Sequence, residues 1–461
     1  QFGAMHRAII RAFKHYHLFG FTGTPIFASN APTGLKATIT PTTEQVFGER
    51  LHSYTIVDAI NDGNVLPFRI DYVNTVKMKD EIVDMKVPAI DIERAMMAPE
   101  RITKVCEYLL DHFEQKTKRD SHYLYKNRKL AGFNAIFAVS SINMAKAYYS
   151  ELKRQMETRL PRLKLGLIYS FNPNEELEGG ILDDIDESFD TESLDQSSRD
   201  FLDAAIADYN AQFGTNYDSS SQKFENYYKD LSMRVKNREV DLLIVVNMFL
   251  TGFDATTLNT LWVDKNLRQH GLIQAFSRTN RILNTVKTFG NIVCFRDLKK
   301  ETDDAIALFG NKDAGGIVLL KTFEEYYSKG YDEKGKKQPC YVELIERLQT
   351  DFPLGVEIIG EGLRRDFVKL FGAILRMRNI LQAFDEFEGK QILSERALQD
   401  YQSIYLDIYQ DLRQEVDGER VVINDDLVFE VELIKQIEVN IDYILMMVAQ
   451  YQKSKLENKE I

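Results

Sequence analysis

Gln274, Arg278 and Arg281 stand at offsets of four and seven residues in the stretch "QAFSRTNR". On a helix that spacing puts all three on one face. Two guanidinium groups one turn apart, with a carboxamide below them, suit a bound polyphosphate. Guanidinium is planar, permanently charged and forks onto phosphate oxygens. Presented across a cleft, it stabilises the charge that builds on a transferring γ-phosphate. An arginine pair on a helix is in most proteins a solvated face or part of an ion-pair network, but the surroundings here argue for more. Ile273, Ala275 and Phe276 turn the rest of the helix toward a core. Upstream, "LLIVVNMFLTGFD" is an apolar run of the buried parallel-strand kind, broken by a loop bearing Thr251, Gly252 and Asp254. A buried strand, a Gly/Asp loop, a second strand and an arginine-bearing helix build an α/β ligand site, expected beyond the carboxyl ends of the strands.

The elements that must hold these residues can be followed from the start of the chain. Residues 5–16 read as a helix, with Met5, Ile9, Phe13 and Tyr16 at helical spacing. "HLFGFTGTP" reads as a buried strand that ends in a turn, where Thr22 and Thr24 offer hydroxyls and Pro25 stops further pairing. Residues 28–47 have the Thr/Pro/Gly/Ala composition of a linker. Residues 55–61 make a short helix closed by Asp62-Gly63, and Pro67 starts a strand; "FRIDYVNTV" alternates as a strand with one wet face. Residues 100–113 form a helix with Ile102, Val105, Leu109 and Phe113 on one side. "FNAIFAVSS" is a buried strand and "INMAKAYYSELKRQM" the helix after it. Ser140 and Ser141 at that junction can cap the helix or contact a phosphate backbone. "LKLGLIYS", "DLLIVVN", "TLWVD" and "GNIVCF" are further strands. Buried strands alternating with helices give an α/β fold, a doubly wound parallel sheet. Residues 175–203 are packed with Asp and Glu, with Arg199 the one basic side chain. Their irregular spacing reads as a solvated, mobile insertion that repels DNA rather than as a metal site. After Asp303 the strand signal fades: "YDEKGKKQP" reads as a polar loop. Residues 363–387, then Leu398, Tyr401, Tyr405, Ile408 and Leu412, then Leu427, Val431, Ile434, Ile441 and Leu445, form three stripes of an all-α bundle.

Composition sets the bounds. A chain of 461 residues is long enough for about two to four domains, and 44% hydrophobic residues furnish their cores. A formal net charge of −12 excludes a generally basic nucleic-acid coat, so a DNA track must be a local positive groove on an acidic body. Cys106, Cys294 and Cys340 are far apart and suggest neither a disulfide framework nor a zinc site, which fits a reducing, cytoplasmic setting. His15 and His17 flank Tyr16 without an acidic or Cys cluster, so no metal site is expected here. No apolar run reaches membrane-spanning length and no signal peptide is visible. The chain does not begin with Met, and its first residues read as the interior of a domain; it is expected to be part of a longer protein.

On these residues the chain resembles superfamily 2 helicases. "NMFLTGFD" is similar to their motif V, "QAFSRTNR" to motif VI (Q-x-x-G-R-x-x-R), "FGFTGTP" to motif III, and "IFAVSSINMAKAYY" to the motif IV region. The wording "TGFDATTLNTLWVDKNL", followed by "HGLIQAFSRTNRI", most resembles the motor (R) subunit of type I restriction enzymes, over residues 1–298, with a helical tail that also fits. Ser277 stands where many relatives carry Gly. The resemblance implies that residues 1–45 close a first RecA-like motor domain and its hinge, 46–310 form a second one, and 311–461 a helical domain that packs on the motor and helps dock the complex. It implies ATP with Mg²⁺ clamped between two motor domains. Arg278 and Arg281 would reach the γ-phosphate, and Gln274 would position them or the attacking water. Gly252 and Asp254 would shape a loop meeting both nucleotide and DNA. Thr22 and Thr24 would couple the nucleotide site to the second domain, and Ser140, Ser141 and Thr251 would touch duplex DNA. Modification and specificity subunits are the implied partners, and DNA cleavage after translocation the implied outcome. The chain holds no G-x-x-x-x-G-K-[ST] loop, no D-E-x-H box and no nuclease core, so alone it is expected to turn over neither ATP nor DNA. Two other readings stay open: another superfamily 2 helicase or remodelling translocase, and a non-catalytic, motor-like scaffold.

Overall fold

A computed structural model describes residues 4–27, 42–73, 75, 96–160, 162–170, 191, 193–284, 286–310, 318–333 and 336–414. Among them the strands are β1 (Phe68–Tyr72), β2 (His122–Tyr125), β3 (Arg128–Ala131), β4 (Asn134–Val139), β5 (Leu165–Ile168), β6 (Leu242–Val245), β7 (Leu258–Asp264), β8 (Gly290–Cys294), β9 (Tyr331–Glu333) and β10 (Lys336–Gln338). The helices are α1 (Ala4–Ala12), α2 (Thr43–Phe47), α3 (Ile56–Asn61), α4 (Pro99–Lys116), α5 (Ile142–Met156), α6 (Gln196–Phe213), α7 (Ser221–Lys236), α8 (Gln269–Phe276), α9 (Lys299–Phe309), α10 (Tyr341–Asp351), α11 (Glu361–Leu381) and α12 (Glu395–Gln414). The chain divides into two compact units. The first holds 1–117, 133–283 and 287–320; the second holds 118–132, 284–286 and the residues from 321 on.

The first unit is built on a six-stranded sheet in the order β1-β8-β7-β4-β6-β5, and every pairing is parallel. Apolar runs make its centre: all residues of β4, β6 and β7 are buried, each large aliphatic side chain contributing roughly 1.5–3 kcal/mol. Helices cover both faces, as a parallel sheet requires. On one face Tyr108 of α4 lies edge-on to Trp262 and Phe295, and Tyr148 of α5 packs on Phe137. On the other, Phe276 of α8 meets Phe68 of β1. The sequence is an α/β doubly wound sheet followed by a helical region, as expected. α5 begins where Ser141 caps it, accepting from Met144 N at 3.3 Å; α3 begins at a capping box of Thr55 and Asp58.

Several expectations are corrected. Residues 17–25 form no strand, and Phe19 and Phe21 are 64% and 97% exposed. Apolar pattern cannot make a strand without a neighbour to take its N–H and C=O groups, and no described strand lies beside it. α1 stops at Ala12, leaving Phe13 and Tyr16 exposed rather than on a buried stripe; a short helix with no core against its end has little to extend it. β1 has no wet face at its polar positions. Arg69 is 3% exposed, is hydrogen-bonded to Asp71 and to Asn291, and Lys116 of α4 pairs with Asp71 at 3.0 Å. The alternation there marks a buried polar cluster under α4. The acidic segment ends in structure: Asp195 caps α6, which runs through residues assigned to a solvated insertion and buries Leu202, Ile206 and Tyr209. Residues 175–190 of that segment, the linker residues 28–41 and the stripe from Leu427 to Leu445 lie outside the described residues. "YDEKGKKQP" is not a plain loop, since β9 and β10 pair antiparallel.

The second unit holds the antiparallel hairpin β2–β3 and the helices α10, α11 and α12. Phe367 stacks on Phe371, and their rings meet those of Tyr401 and Tyr405 at a tilt, with centroid distances of 5.7–6.4 Å, in its core. The aromatic stripes are core, as their spacing indicates.

Candidate functional site

The arginine segment does not continue as one helix. α8 ends at Phe276, and Ser277 follows with φ −67. Arg278 N then bonds to Ala275 O at 3.1 Å and Thr279 N to Phe276 O at 3.0 Å, a tightening of the 3₁₀ kind. Gln274 therefore lies in the helix, Arg278 in the turn after it, and Arg281 in irregular chain beyond. Ser277 is right-handed, so a side chain sits there without strain.

The arginines also lie at the opposite edge of the sheet from the one expected. Thr279 packs so closely on Gly290 that an added Cβ would come within 2.3 Å of Thr279 Oγ1. Leu66 N donates to Asn280 O at 2.9 Å. Gly290 opens β8 and Leu66 precedes β1, so the segment crosses the amino ends of these strands. The cause is the path of the chain: a crossover between parallel strands must return to the starting edge, and the arginines fall where α8 has completed that return.

At this edge the sequence-derived residues form a linked set. Arg278 Nε donates to Gln274 O at 3.0 Å and Nη1 donates to Phe253 O. Among the described residues it has no carboxylate partner. Burial, and then the like charge of Arg281, hold its pKa below the usual arginine value, with Asp254 opposing them. Arg281 Nε lies 3.2 Å from Asp254 Oδ1 as an ion pair, with the two side chains 43% and 62% exposed. Gln274 Nε2 donates to Thr24 Oγ1 at 2.8 Å, and Thr24 N donates to Thr22 Oγ1 at 3.1 Å. Gln274, Arg278, Thr22 and Thr24 are thus linked through side chains, two main-chain carbonyls and one main-chain N–H, and Arg281 joins them through Asp254, the neighbour of Phe253.

The loop between β6 and β7 runs from the carboxyl edge of the sheet to its amino edge. Gly252 is exposed within it at φ +70, with open space around the missing side chain. Thr251 Oγ1 is buried without a hydrogen-bond partner. Phe249 holds φ +66 although buried, its ring between Tyr228 at 4.8 Å and Phe253 at 4.6 Å. A non-glycine residue in that region stores strain. Two buried lysines fasten the loop. At its start Lys265 Nζ donates to Val246 O at 3.1 Å and Asn247 Oδ1 at 2.7 Å. At its end Lys287 Nζ donates to Thr256 O at 2.9 Å and Leu258 O at 2.7 Å.

Ser140 and Ser141 lie apart from this set, at the carboxyl end of β4. The strands are 4–7 residues long, so the two edges are roughly 15–20 Å apart. Ser141 caps α5. Ser140 Oγ accepts from Arg296 Nη2 at 3.2 Å, which leaves its proton available to donate elsewhere. Behind it Asp264 takes Arg101 as a fork, both bonds 2.8 Å, with Arg296 Nε at 3.1 Å and the Tyr148 hydroxyl at 2.6 Å. Burial pushes the Asp264 carboxyl up, and Arg101 and Arg296 overcome this to leave it below the usual carboxylate value.

Sequence reasoning missed Arg101, Asp264, Arg296, Lys265, Lys287 and Gly290. A signal existed for some of them. "TLWVDK" and "NIVCFR" each close an apolar strand with a charge, and a charge inside or against such a run must be buried and paired. Among the described residues no group of three His, Cys, Asp or Glu side chains could hold a metal ion, and no helix is long and apolar enough to cross a membrane.

A six-stranded parallel sheet with helices on both faces, followed by a helical second unit, defines the class: an α/β doubly wound fold with a helical region after it. Comparison with known proteins gives the family. Residues 131–297 match the model for type I restriction enzyme subunit R domain 3, residues 318–461 that for the subunit R C terminal, and residues 1–100 that for the SWI2/SNF2 ATPase. The chain is 37% identical over 98% of its length to a type I restriction enzyme endonuclease subunit of Staphylococcus aureus (strain COL), covering 45% of that protein. It is 35% identical over 98% to the corresponding subunit of Staphylococcus saprophyticus, covering 46% of it. The chain belongs to the subunit R family of type I restriction enzymes, and it spans about half the length of these relatives. A fragment of an HsdR subunit from Vibrio vulnificus YJ016 is a looser match, 14% identical with a TM-score of 0.35 over 64% of this chain and 42% of that one.

Proposed function

We infer that this chain is part of the ATP-driven DNA motor of a type I restriction-modification enzyme, a subunit that hydrolyses ATP to move along duplex DNA before cleavage. The observation that supports this reading most is the state of Arg278. A half-buried guanidinium bonded to two main-chain carbonyls and, among the described residues, to no carboxylate is a cation kept for an anion that comes from outside. The γ-phosphate of ATP is the anion that the fold class brings. In this reading Arg278 stabilises the charge on the transferring phosphoryl group. Arg281, partly exposed, exchanges Asp254 for phosphate as the site closes. Gln274 reports closure to Thr24 and Thr22 through the hydrogen bond it already makes. Gly252 and Asp254 shape the loop that joins the two edges of the sheet, so the loop can carry movement from the nucleotide to Thr251, Ser140 and Ser141 on the DNA. Mg²⁺ would accompany the nucleotide and supply charge neutralisation; the described residues offer it no ligand cluster. Duplex DNA and the modification and specificity subunits are the partners.

The test uses the complete subunit, assembled with its modification and specificity subunits, with ATP, Mg²⁺ and duplex DNA. Arg278→Ala should lower the turnover number for ATP by about 10³-fold or more with DNA affinity kept. Turnover within a few-fold of wild type sinks the proposal. The Arg281–Asp254 ion pair favours the scaffold as the second reading; ATP turnover of the assembled enzyme that is unchanged by both Arg278→Ala and Arg281→Ala would support it, since a scaffold contributes neither group to the reaction.

A further inference from the structure

Fifteen residues of the second unit carry a charge opposite to the rest of the chain. Residues 118–132 hold Lys118, Arg119, Lys126, Arg128 and Lys129 against the single acid Asp120, in a protein of net charge −12. They fold as the hairpin β2–β3. Its two-residue turn, Lys126-Asn127, has φ +47 and +61, the paired left-handed conformation that matches the twist of the strands. The base of the ribbon is fixed. Tyr123 and Leu130 are cross-strand partners and both buried, and the Tyr123 hydroxyl donates to Gly132 O at 3.1 Å. Lys118, itself buried, donates through Nζ to Val286 O at 3.2 Å and Asn379 Oδ1 at 3.0 Å. The tip is different. Lys126, Asn127, Arg128 and Lys129 are all exposed. Leu124, opposite Lys129 on the outer face, is 79% exposed. Lys126 Nζ sits 5.1 Å from the centroid of the Tyr125 ring, which orders it beside the strand.

An anchored ribbon that displays three cations at its end on an acidic body is not a solubility device, because net charge of one sign already serves that purpose. We propose that the β2–β3 hairpin is a contact for the phosphate backbone of duplex DNA. A two-stranded ribbon has the width to enter a major groove, which places side chains of its two edges beside the flanking phosphates. Charge complementarity selects the partner: a duplex presents a dense line of phosphates, and each one neutralised releases a counterion. The exposed Leu124 then meets sugar or base edges rather than water. The contact is not sequence-reading, since lysine and arginine at a turn position the protein on the backbone without reading bases. This inference rests on the motor reading only for the identity of the nucleic acid.

The test measures binding of the 461-residue chain to a random-sequence duplex of roughly 30 base pairs by fluorescence anisotropy across a salt series. The combined variant Lys126→Gln, Arg128→Gln and Lys129→Gln should bind more weakly, and its slope of log K against log salt should be shallower by about 2–3, near 0.9 for each lost phosphate contact. The charge-keeping variant Lys126→Arg, Arg128→Lys and Lys129→Arg should retain the wild-type slope. An unchanged thermal melt for both variants shows that the fold is intact. If wild type binds and the glutamine variant keeps its slope, the hairpin proposal fails while the DNA motor stands. If the charge-keeping variant loses the slope too, charge is not the agent and the proposal also fails. If wild type does not bind the duplex at all, the hairpin proposal is overturned, while the DNA reading is judged on the complete subunit.

Discussion

Arg278 and Arg281 are three residues apart and are held in opposite ways. Arg278 is enclosed, bonded to the carbonyls of Gln274 and Phe253, so its direction is fixed before any ligand arrives. Such preorganisation is what a charge-stabilising group needs, because nothing has to reorient during the reaction. Arg278→Lys keeps a cation but loses the fork that bonds two acceptors at once. It should lose nearly as much ATP turnover as Arg278→Ala in the assembled enzyme; full activity in the lysine variant would mean that charge alone suffices. Arg281 sits with Asp254 in a partly exposed pair, and such pairs contribute about 0–1 kcal/mol. Arg281→Ala should therefore leave the urea midpoint of the isolated chain almost unmoved while strongly reducing ATP-dependent translocation of the complex. A large loss of stability with little loss of translocation would assign Arg281 a structural role instead.

At the scale of elements, the site depends on how closely the arginine segment approaches β8. Gly290 is the point of contact: Thr279 Oγ1 would lie 2.3 Å and Thr279 C 3.2 Å from a side chain placed there. Gly290→Ala must push the segment outward, at a cost of about 1–3 kcal/mol for overpacking. Because Thr279 follows Arg278 directly, the displaced guanidinium should raise the KM for ATP and lower its turnover more than the stability loss accounts for. Wild-type kinetics in a folded Gly290→Ala enzyme would show that the segment tolerates displacement. Most of these elements were legible in the chain. α5 was readable to its first residue because a buried strand, a Ser cap and a stripe of apolar residues agree at residues 134–156. α6 was hidden by the acidic residues before it, and its apolar stripe of Leu202, Ile206 and Tyr209 is thin. The strand expected at 17–25 failed because pattern reports what a segment could bury, not whether a partner lies beside it. The residues of the site were readable by type, but their edge of the sheet was not. The spacing of Gln274, Arg278 and Arg281 is helical on paper, yet the helix ends at Phe276, where tertiary contact with Gly290 takes over.

For the whole molecule, two units with separate cores and a single tryptophan make the first unit observable on its own. Trp262 is buried in β7 and stacked on Phe295 at 6.0 Å. Two residues further along the strand, on the same face, Asp264 holds Arg101 and Arg296. Asp264→Asn takes the shared carboxylate charge away from two enclosed guanidinium groups, a loss of about 3–5 kcal/mol. The midpoint of urea unfolding followed by Trp262 fluorescence should fall by about 1 M or more. The helices around Phe367, Phe371, Tyr401 and Tyr405 belong to the other unit, so part of the far-ultraviolet helical signal should persist at urea concentrations where the tryptophan signal is already lost. The pH dependence has a definite sign. The folded-state pKa of Asp264 lies below its ordinary value of 3.8, so its stabilisation is complete above that value and disappears as pH falls through the folded pKa. The gap between wild type and Asp264→Asn should be full at neutral pH and narrow below about pH 3.8. A gap that stays constant into acid would mean that the network is held by packing of Tyr148 and the arginine stems rather than by the charge of Asp264.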